Sequence, residues 1–277
     1  MKKFLKKCVF GDKIWPYIRV FVKPFYHCFY EGEELSKKRL LDKKRALLYP
    51  IFSSKVVLNG IFQGMVYPDF VSVGSSLFAK LLGSYERELE SLFESIKNEN
   101  YTEILDVGCA EGYYVVGLAR IFTNAKIYAF DINPQAIHQC EKMAKLNHVE
   151  DRVILREACD EEILANFQFT GKNLIISDCE GYERFLFSAQ NIHNLMKSDV
   201  LIEVHELYEY DVFTYLLDIF KNSHDFIEYK STTDFEKMRE YKYPQLENLP
   251  RDLKYEILSE NREYQQSWLY FTPKKGL

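Results

Sequence analysis

The 277-residue sequence predicts an α/β protein: a Rossmann-like, doubly wound, mostly parallel seven-stranded sheet with an α/β extension ahead of it. Three observations carry that reading. From residue 100 onward, short β-branched apolar runs alternate with helix-length segments. Runs such as LII and VLI are continuously apolar, as suits strands buried on both faces of a parallel sheet. The first run ends in an acid and two glycines four apart, ILDVGCAEG (104–112), which is a turn at a strand end rather than more strand.

The chain begins with a basic stretch. Residues 1–55 carry 14 Lys/Arg against 5 Asp/Glu, a net of +9; the whole chain is −5, so the remainder is −14. Residues 1–54 read as a basic, aromatic-rich arm with a short helix over 31–48. A solvated arm docked on its own domain and peripheral contact with an anionic membrane surface are both open. The start has no clean apolar core or small-residue cleavage site, which speaks against a signal peptide. No apolar stretch reaches the roughly 18 residues of a membrane span. Six scattered cysteines form no C-x-x-C pair, as expected of a reducing compartment. The expected location is cytoplasmic, extending to the inner face of a membrane if the arm binds there.

Residues 55–100 form a lead-in: two short strands over 55–70, broken by Gly60, Gly64 and Pro68, then a helix from Phe78 to Ile96 on apolar spacing. The main domain, 101–277, has strand-like runs at 103–107, 126–132, 152–158, 173–179 and 199–205. Helix-length segments lie at 113–123, 134–147, 160–168, 182–196 and 211–221. Two further runs, 225–232 and 267–274, can close the sheet as an antiparallel pair. Between them 232–266 is a charged insertion, long enough to serve as a lid.

The loop after the first strand reads Asp106-Val-Gly108-Cys109-Ala110-Glu111-Gly112. It fails the G-x-G-x-x-G spacing of dinucleotide sites, with Ala110 and Tyr113 where glycines belong. Glycines at 108 and 112 let the loop bend and a ligand approach the main chain, while Asp106 and Glu111 disfavour phosphate. A cationic nucleoside suits it better, and S-adenosyl-L-methionine has an ammonium and a sulfonium but no phosphate. Asp131, with Ile132 beside it, ends the second strand where an acid can accept from ribose hydroxyls. Cys159 and Asp160 follow the third, placing Asp160 to accept from an adenine amino group. Asp178, after the fourth, completes the candidate cofactor set.

DVGCAEGYYVVGLA, AFDINPQAI and REACD together resemble the first three motifs of class I S-adenosylmethionine-dependent methyltransferases. More narrowly, NLIISDCEGYE followed by VLIEVHE is similar to the FkbM-like branch. GIFQGMVYP and KLLGSYEREL resemble its lead-in, so the likeness covers about 55–275. The resemblance implies a methyltransferase sheet and O-methylation of a sugar-like or natural-product hydroxyl.

Methyl transfer to a hydroxyl needs the nucleophile positioned and its proton removed. Candidates sit at the ends of the fourth and fifth strands: Asp178 and Glu180, then Glu203 and His205, two apart and so on one side. The four could hold a divalent cation; alternatively His205 acts alone as general base. Glu183 reads as a helix-dipole partner. Cys109, Cys159 and Cys179 read as small residues in tight turns, with a thiolate metal site as the alternative. Tyr85 and Glu86 could cover the methionine end of the cofactor, and Tyr241, Tyr243 and Arg262 could meet a polar acceptor. The expected partner is a small-molecule or glycan acceptor. Nucleic acid is not expected: the main domain is acidic and no N/D-P-P-Y/F motif follows the fourth strand. A nicotinamide-dependent oxidoreductase and a non-catalytic cofactor-binding subunit remain alternative functions. Oligomeric state is not readable from the chain.

Overall fold

A computed structural model describes residues 46–206, 211–262 and 264–275, with a few positions between 35 and 43. The basic arm with Cys8 and Cys28, and most of the 31–48 helix, lie outside the described residues. The chain divides into two units, 1–51 and 52–277. In the first, 46–48 is helical and a turn follows. Among the described residues no helix is long and apolar enough to cross a membrane.

The second unit is built on one seven-stranded sheet. In chain order its strands are β1 (Glu103–Val107), β2 (Lys126–Phe130), β3 (Val153–Arg156), β4 (Asn173–Ser177), β5 (Asp199–Val204), β6 (His224–Lys230) and β7 (Ser267–Pro273). Their spatial order is β3-β2-β1-β4-β5-β7-β6. β1 to β5 are parallel, and β7 inserts antiparallel between β5 and β6. The expected doubly wound sheet is therefore present, with its last two strands as the antiparallel pair. β1, β4 and β5 are buried along their whole length, which explains their unbroken apolar runs.

Helices α3 (Tyr113–Ile121), α4 (Pro134–Leu146), α5 (Glu161–Asn166) and α8 (Val212–Phe220) cross between strands. Local chemistry starts each one. Gly112 opens α3 in the left-handed region, at φ 97°. Asn133 caps α4 with Pro134 in its first turn, and Asp160 caps α5 by accepting from the Ile163 amide. The first expected strand coincides with β1, and each later one runs one or two residues past the observed end. Asp131, Asp178 and His205 therefore stand just beyond the ladder, at the sheet edge where a parallel α/β fold binds its ligand.

Three expectations change. The 182–196 helix is two short ones, α6 (Glu183–Leu186) and α7 (Ile192–Leu195). The two lead-in strands reduce to a single antiparallel bridge, Val56 to Val66, around the turn at 60–64. The 78–96 helix is broken into α1 (Leu77–Leu82) and α2 (Glu90–Ile96). Gly83 ends α1 at φ 82°, so close to the Asn59 carbonyl that a Cβ would lie 2.0 Å from its oxygen. The lead-in is fastened to the main domain by Phe62, edge-on to Tyr113 and Tyr114, and by the Asn147 amide, which bonds the Val66 backbone at both N and O. The 232–266 segment is folded, carrying α9 (Asp234–Glu240) and α10 (Arg251–Leu258).

Candidate active site

A cavity of about 790 Å³ opens at the carboxyl ends of β1 to β5. Gly108, Cys109, Ala110, Asp131, Ile132, Cys159, Asp160, Asp178, Glu180, Glu203 and His205 all line it. Asp106, Glu111 and Gly112 do not. Seven lining residues are Asp or Glu, against Lys80, Arg262 and His205. Such a wall favours a cationic ligand over a phosphate.

The loop itself is held differently from the sequence expectation. Gly108, at φ 90°, is pressed against the turn after β4: a Cβ there would lie 1.7 Å from the Asp178 carbonyl oxygen. Gly112 abuts Cys140, whose Sγ would be 2.7 Å from an added Cβ. Both glycines are thus demanded by the protein's own packing. Asp131 pins the loop from the second strand end, its Oδ2 accepting from the Ala110 amide (2.8 Å) and its Oδ1 from the Asn133 amide (2.7 Å). A carboxylate has lone pairs left after two such bonds, so the side chain retains capacity for a ribose hydroxyl. Asp160 likewise spends one oxygen on its helix cap (2.8 Å).

Glu111 is turned away from the cavity. It accepts from Lys80 Nζ (2.7 Å), the Ser72 hydroxyl (2.8 Å) and the Val73 amide (2.9 Å), and is 2 % exposed. Burial alone would raise its carboxyl, but the Lys80 charge outweighs that and holds it below the ordinary carboxylate range. It fastens α1 and the 72–73 turn to the glycine loop and does not line the cavity, so the expected contact with a cationic ligand is corrected. Lys80 was hidden in the sequence by its setting: FAKLL reads as an apolar helix face, and a buried Lys inside one is the signal of an unseen carboxylate. Asp106 is 2 % exposed and its Oδ2 makes no hydrogen bond. Burial, and next the charge of Asp131, push it up to about 7.

At the ends of β4 and β5 the sequence candidates converge. His205 Nδ1 donates to Glu183 Oε1 (3.1 Å), which also accepts from the Cys179 amide (2.9 Å). Glu183 is 0 % exposed; it orients the imidazole, a role beyond the expected dipole partner. His205 Nε2 then faces Asp178 Oδ1, Glu180 Oε2 and Glu203 Oε2, each at 3.7 Å. Burial opposes the imidazolium, but the Glu183 bond and the surrounding acids outweigh it and hold His205 up to about 9. Burial and the charge of Asp178 push Glu203 up to about 8; burial and Glu86 push Asp178 to about 7.

Arg262 closes this wall. Its guanidinium pairs with Glu86, Glu203 and Glu260, and Lys237 pairs with Glu260, all of them buried or nearly so. Arg262 therefore organises the acids as well as facing the cavity. Tyr85 lines the cavity, whereas Glu86 bonds Tyr114 and Arg262 inside the protein. Tyr241 and Tyr243 stack near Arg87 away from the cavity, so the expected acceptor contact from them is withdrawn. Burial raises the Cys159 thiol to about 12 and the Cys179 thiol further, in keeping with small turn residues. Among the described residues, the one His/Cys/carboxylate group close enough to share an ion is Asp178, Glu203 and His205.

Residues 98–224 match the family model of a methyltransferase domain. A release factor glutamine methyltransferase of Dictyoglomus turgidum is 31% identical over 131 residues, covering 45% of this chain and 42% of that protein. The corresponding protein of Clostridium botulinum is 27% identical over 111 residues, 35% of this chain and 39% of that one. The chain thus spans less than half the length of these curated relatives. A solved structure described as StiE O-MT, residues 961–1257, aligns over 72% of this chain and 76% of that one at 15% identity and a TM-score of 0.45. The strand order is that of a Rossmann-like, mostly parallel seven-stranded α/β fold, and residues 98–224 within it are similar to a methyltransferase domain.

Proposed function

We propose that this chain is an S-adenosylmethionine-dependent O-methyltransferase acting on a sugar-like or natural-product hydroxyl, the activity its likeness to the FkbM-like branch implies. One observation carries the reading: a single cavity is lined both by the nucleoside candidates Asp131, Ile132 and Asp160 and by the cluster Asp178, Glu203 and His205. The residues fit the cofactor. The wall is acidic, and Asp106 keeps an unpaired buried oxygen behind the loop. Gly108 to Ala110, Asp131 and Asp160 would hold the nucleoside and amino-acid parts. When bound, the cofactor supplies an electrophilic methyl group on a sulfonium.

The chain's own residues supply position and proton transfer. Glu183 fixes the His205 ring through Nδ1, so Nε2 points at the cavity acids. Asp178, at the cavity surface, accepts the hydroxyl proton. Arg262 holds Glu203 in place, and the lead-in carries Tyr85 to the cavity wall. An amide acceptor, as the names of the glutamine methyltransferases state for those proteins, is the competing class. A hydroxyl is favoured because the cluster is built of proton acceptors rather than of groups that align an amide.

Calorimetry with S-adenosylhomocysteine tests the cofactor. Wild type is expected to bind one equivalent, and Asp131→Ala to lose about tenfold or more in affinity, the loss of a charged hydrogen-bond acceptor. Absence of wild-type binding removes the proposal; unchanged affinity in Asp131→Ala removes the ribose assignment. A mass-shift screen of glycans, metabolites and peptides with labelled donor then separates the acceptor classes.

A further inference from the structure

We propose that Asp178, Glu203 and His205, joined by Glu180 from the cavity side, form a binding site for one divalent cation of the Mn²⁺ type, which holds the acceptor's hydroxyl oxygen. This rests on the methyltransferase reading for the acceptor, though not for the ion. The geometry around His205 is the starting point. The imidazole side chain is nine-tenths buried, and its Nδ1 is committed to Glu183. A second ring nitrogen bound to a carboxylate is the arrangement that fixes a histidine's tautomer and aims the other nitrogen at a metal.

Nε2 has no hydrogen-bond partner. The three oxygens it faces stand at 3.7 Å, beyond hydrogen-bonding range. Asp178 Oδ1 is also shielded and unpaired. The candidate ligand atoms of Asp178, Glu203 and His205 all lie within 4.8 Å of one another. Ligands bound at ~2.1 Å around one tetrahedral or octahedral ion stand about 3 to 3.5 Å apart. The cluster is thus slightly wider than a loaded site and needs only a small contraction.

The donor set selects the ion. One imidazole nitrogen with carboxylate oxygens suits Mn²⁺ and its neighbours better than Mg²⁺, which prefers oxygen and retained water. Buried acids gathered without enough cations are costly, and a dication supplies the missing charge. Arg262 meets Glu203 through Oε1, leaving Oε2 for the ion. Glu180 is 81 % exposed on the cavity side, which leaves its side chain room to swing onto the ion. The remaining coordination positions face the cavity, where an acceptor oxygen would be bound and made more acidic.

The test uses the full chain, stripped with EDTA and titrated with MnCl₂ alone, followed by calorimetry and by the electron paramagnetic resonance of free Mn²⁺. One equivalent is expected to bind. Asp178→Asn and His205→Gln should each weaken it at least tenfold, and Glu183→Gln about 10- to 100-fold through the lost orientation. In wild type, substoichiometric Mn²⁺ should broaden the His205 ring resonance before those of His138 and His148, which keeps the test independent of whether the variants fold. No saturable binding, affinity unchanged in all three variants, or broadening that spares His205 overturns the proposal. S-adenosylhomocysteine binding on the same sample separates the two readings. Cofactor without Mn²⁺ sinks the ion alone, whereas Mn²⁺ without cofactor leaves the ion and sinks the methyltransferase.

Discussion

Single residues at the binding edge work against the stability of the fold, and Asp106 shows how. Buried beside Asp131, it is held up to about 7, far above the ordinary aspartate value. A carboxyl whose folded value is raised binds its proton more tightly in the native state. Stability is therefore highest near the unfolded value and is lost as pH rises toward 7. Asp106→Asn removes that loss. Urea unfolding should show a gain on the order of 2 kcal/mol at pH 8 and almost none near pH 4. If the glycine loop holds the cofactor as proposed, the same variant should bind S-adenosylhomocysteine more weakly, because an anion behind that loop is gone. A gain at both pH values would mean the effect is packing and not charge. Asp106, Asp131 and His205 could be found in the sequence because each ends a strand. Glu111 misled, since an acid in a glycine loop looks like a ligand contact until Lys80, 31 residues earlier, is seen to hold it.

Among the elements, the parts least readable in the sequence are those set by contacts between distant segments. β1, β4 and β5 announce themselves through unbroken apolar runs. The lead-in does not, because its helix is cut at Gly83 by the close approach of Asn59, which no local pattern encodes. The Arg262 knot is of the same kind: Glu86 from the lead-in, Glu203 from β5, and Glu260 and Lys237 from the insertion meet around one guanidinium. The expected lid segment is thereby fastened to the site wall at its far end, with the Ser76 hydroxyl donating to the Ser259 carbonyl beside it (2.7 Å). Arg262→Met should leave Glu86 and Glu203 buried with too little positive charge and cost about 3 to 5 kcal/mol. Adding Glu86→Gln should recover part of that loss in urea unfolding, because removing both partners is cheaper than removing one. Strictly additive losses would mean that the two residues are not coupled.

At the scale of the whole molecule, the sheet determines both where the site lies and how the fold responds to acid. Parallel order through β5 puts five strand ends at one edge, so acids far apart in sequence share a cavity. The antiparallel β6 and β7 close the opposite side, and His224 sits at the start of β6, buried at 3 % exposure. Its Nε2–H donates to the Ser198 carbonyl (3.0 Å) and Nδ1 pairs with the Ser223 hydroxyl (2.8 Å), tying β6 to the residue before β5. Burial lowers its proton affinity below the ordinary histidine value. The native state therefore binds this proton more weakly than the unfolded chain does. Its contribution is complete above about pH 6.5 and falls as the pH drops below that value. Urea unfolding of wild type and His224→Gln between pH 7 and pH 5 isolates the effect. The wild-type curve should fall more steeply, by up to ~1.4 kcal/mol per pH unit for one proton, while the variant should start lower at pH 7 for want of the imidazole packed against Phe220. Parallel curves would place the acid sensitivity outside the β6 edge.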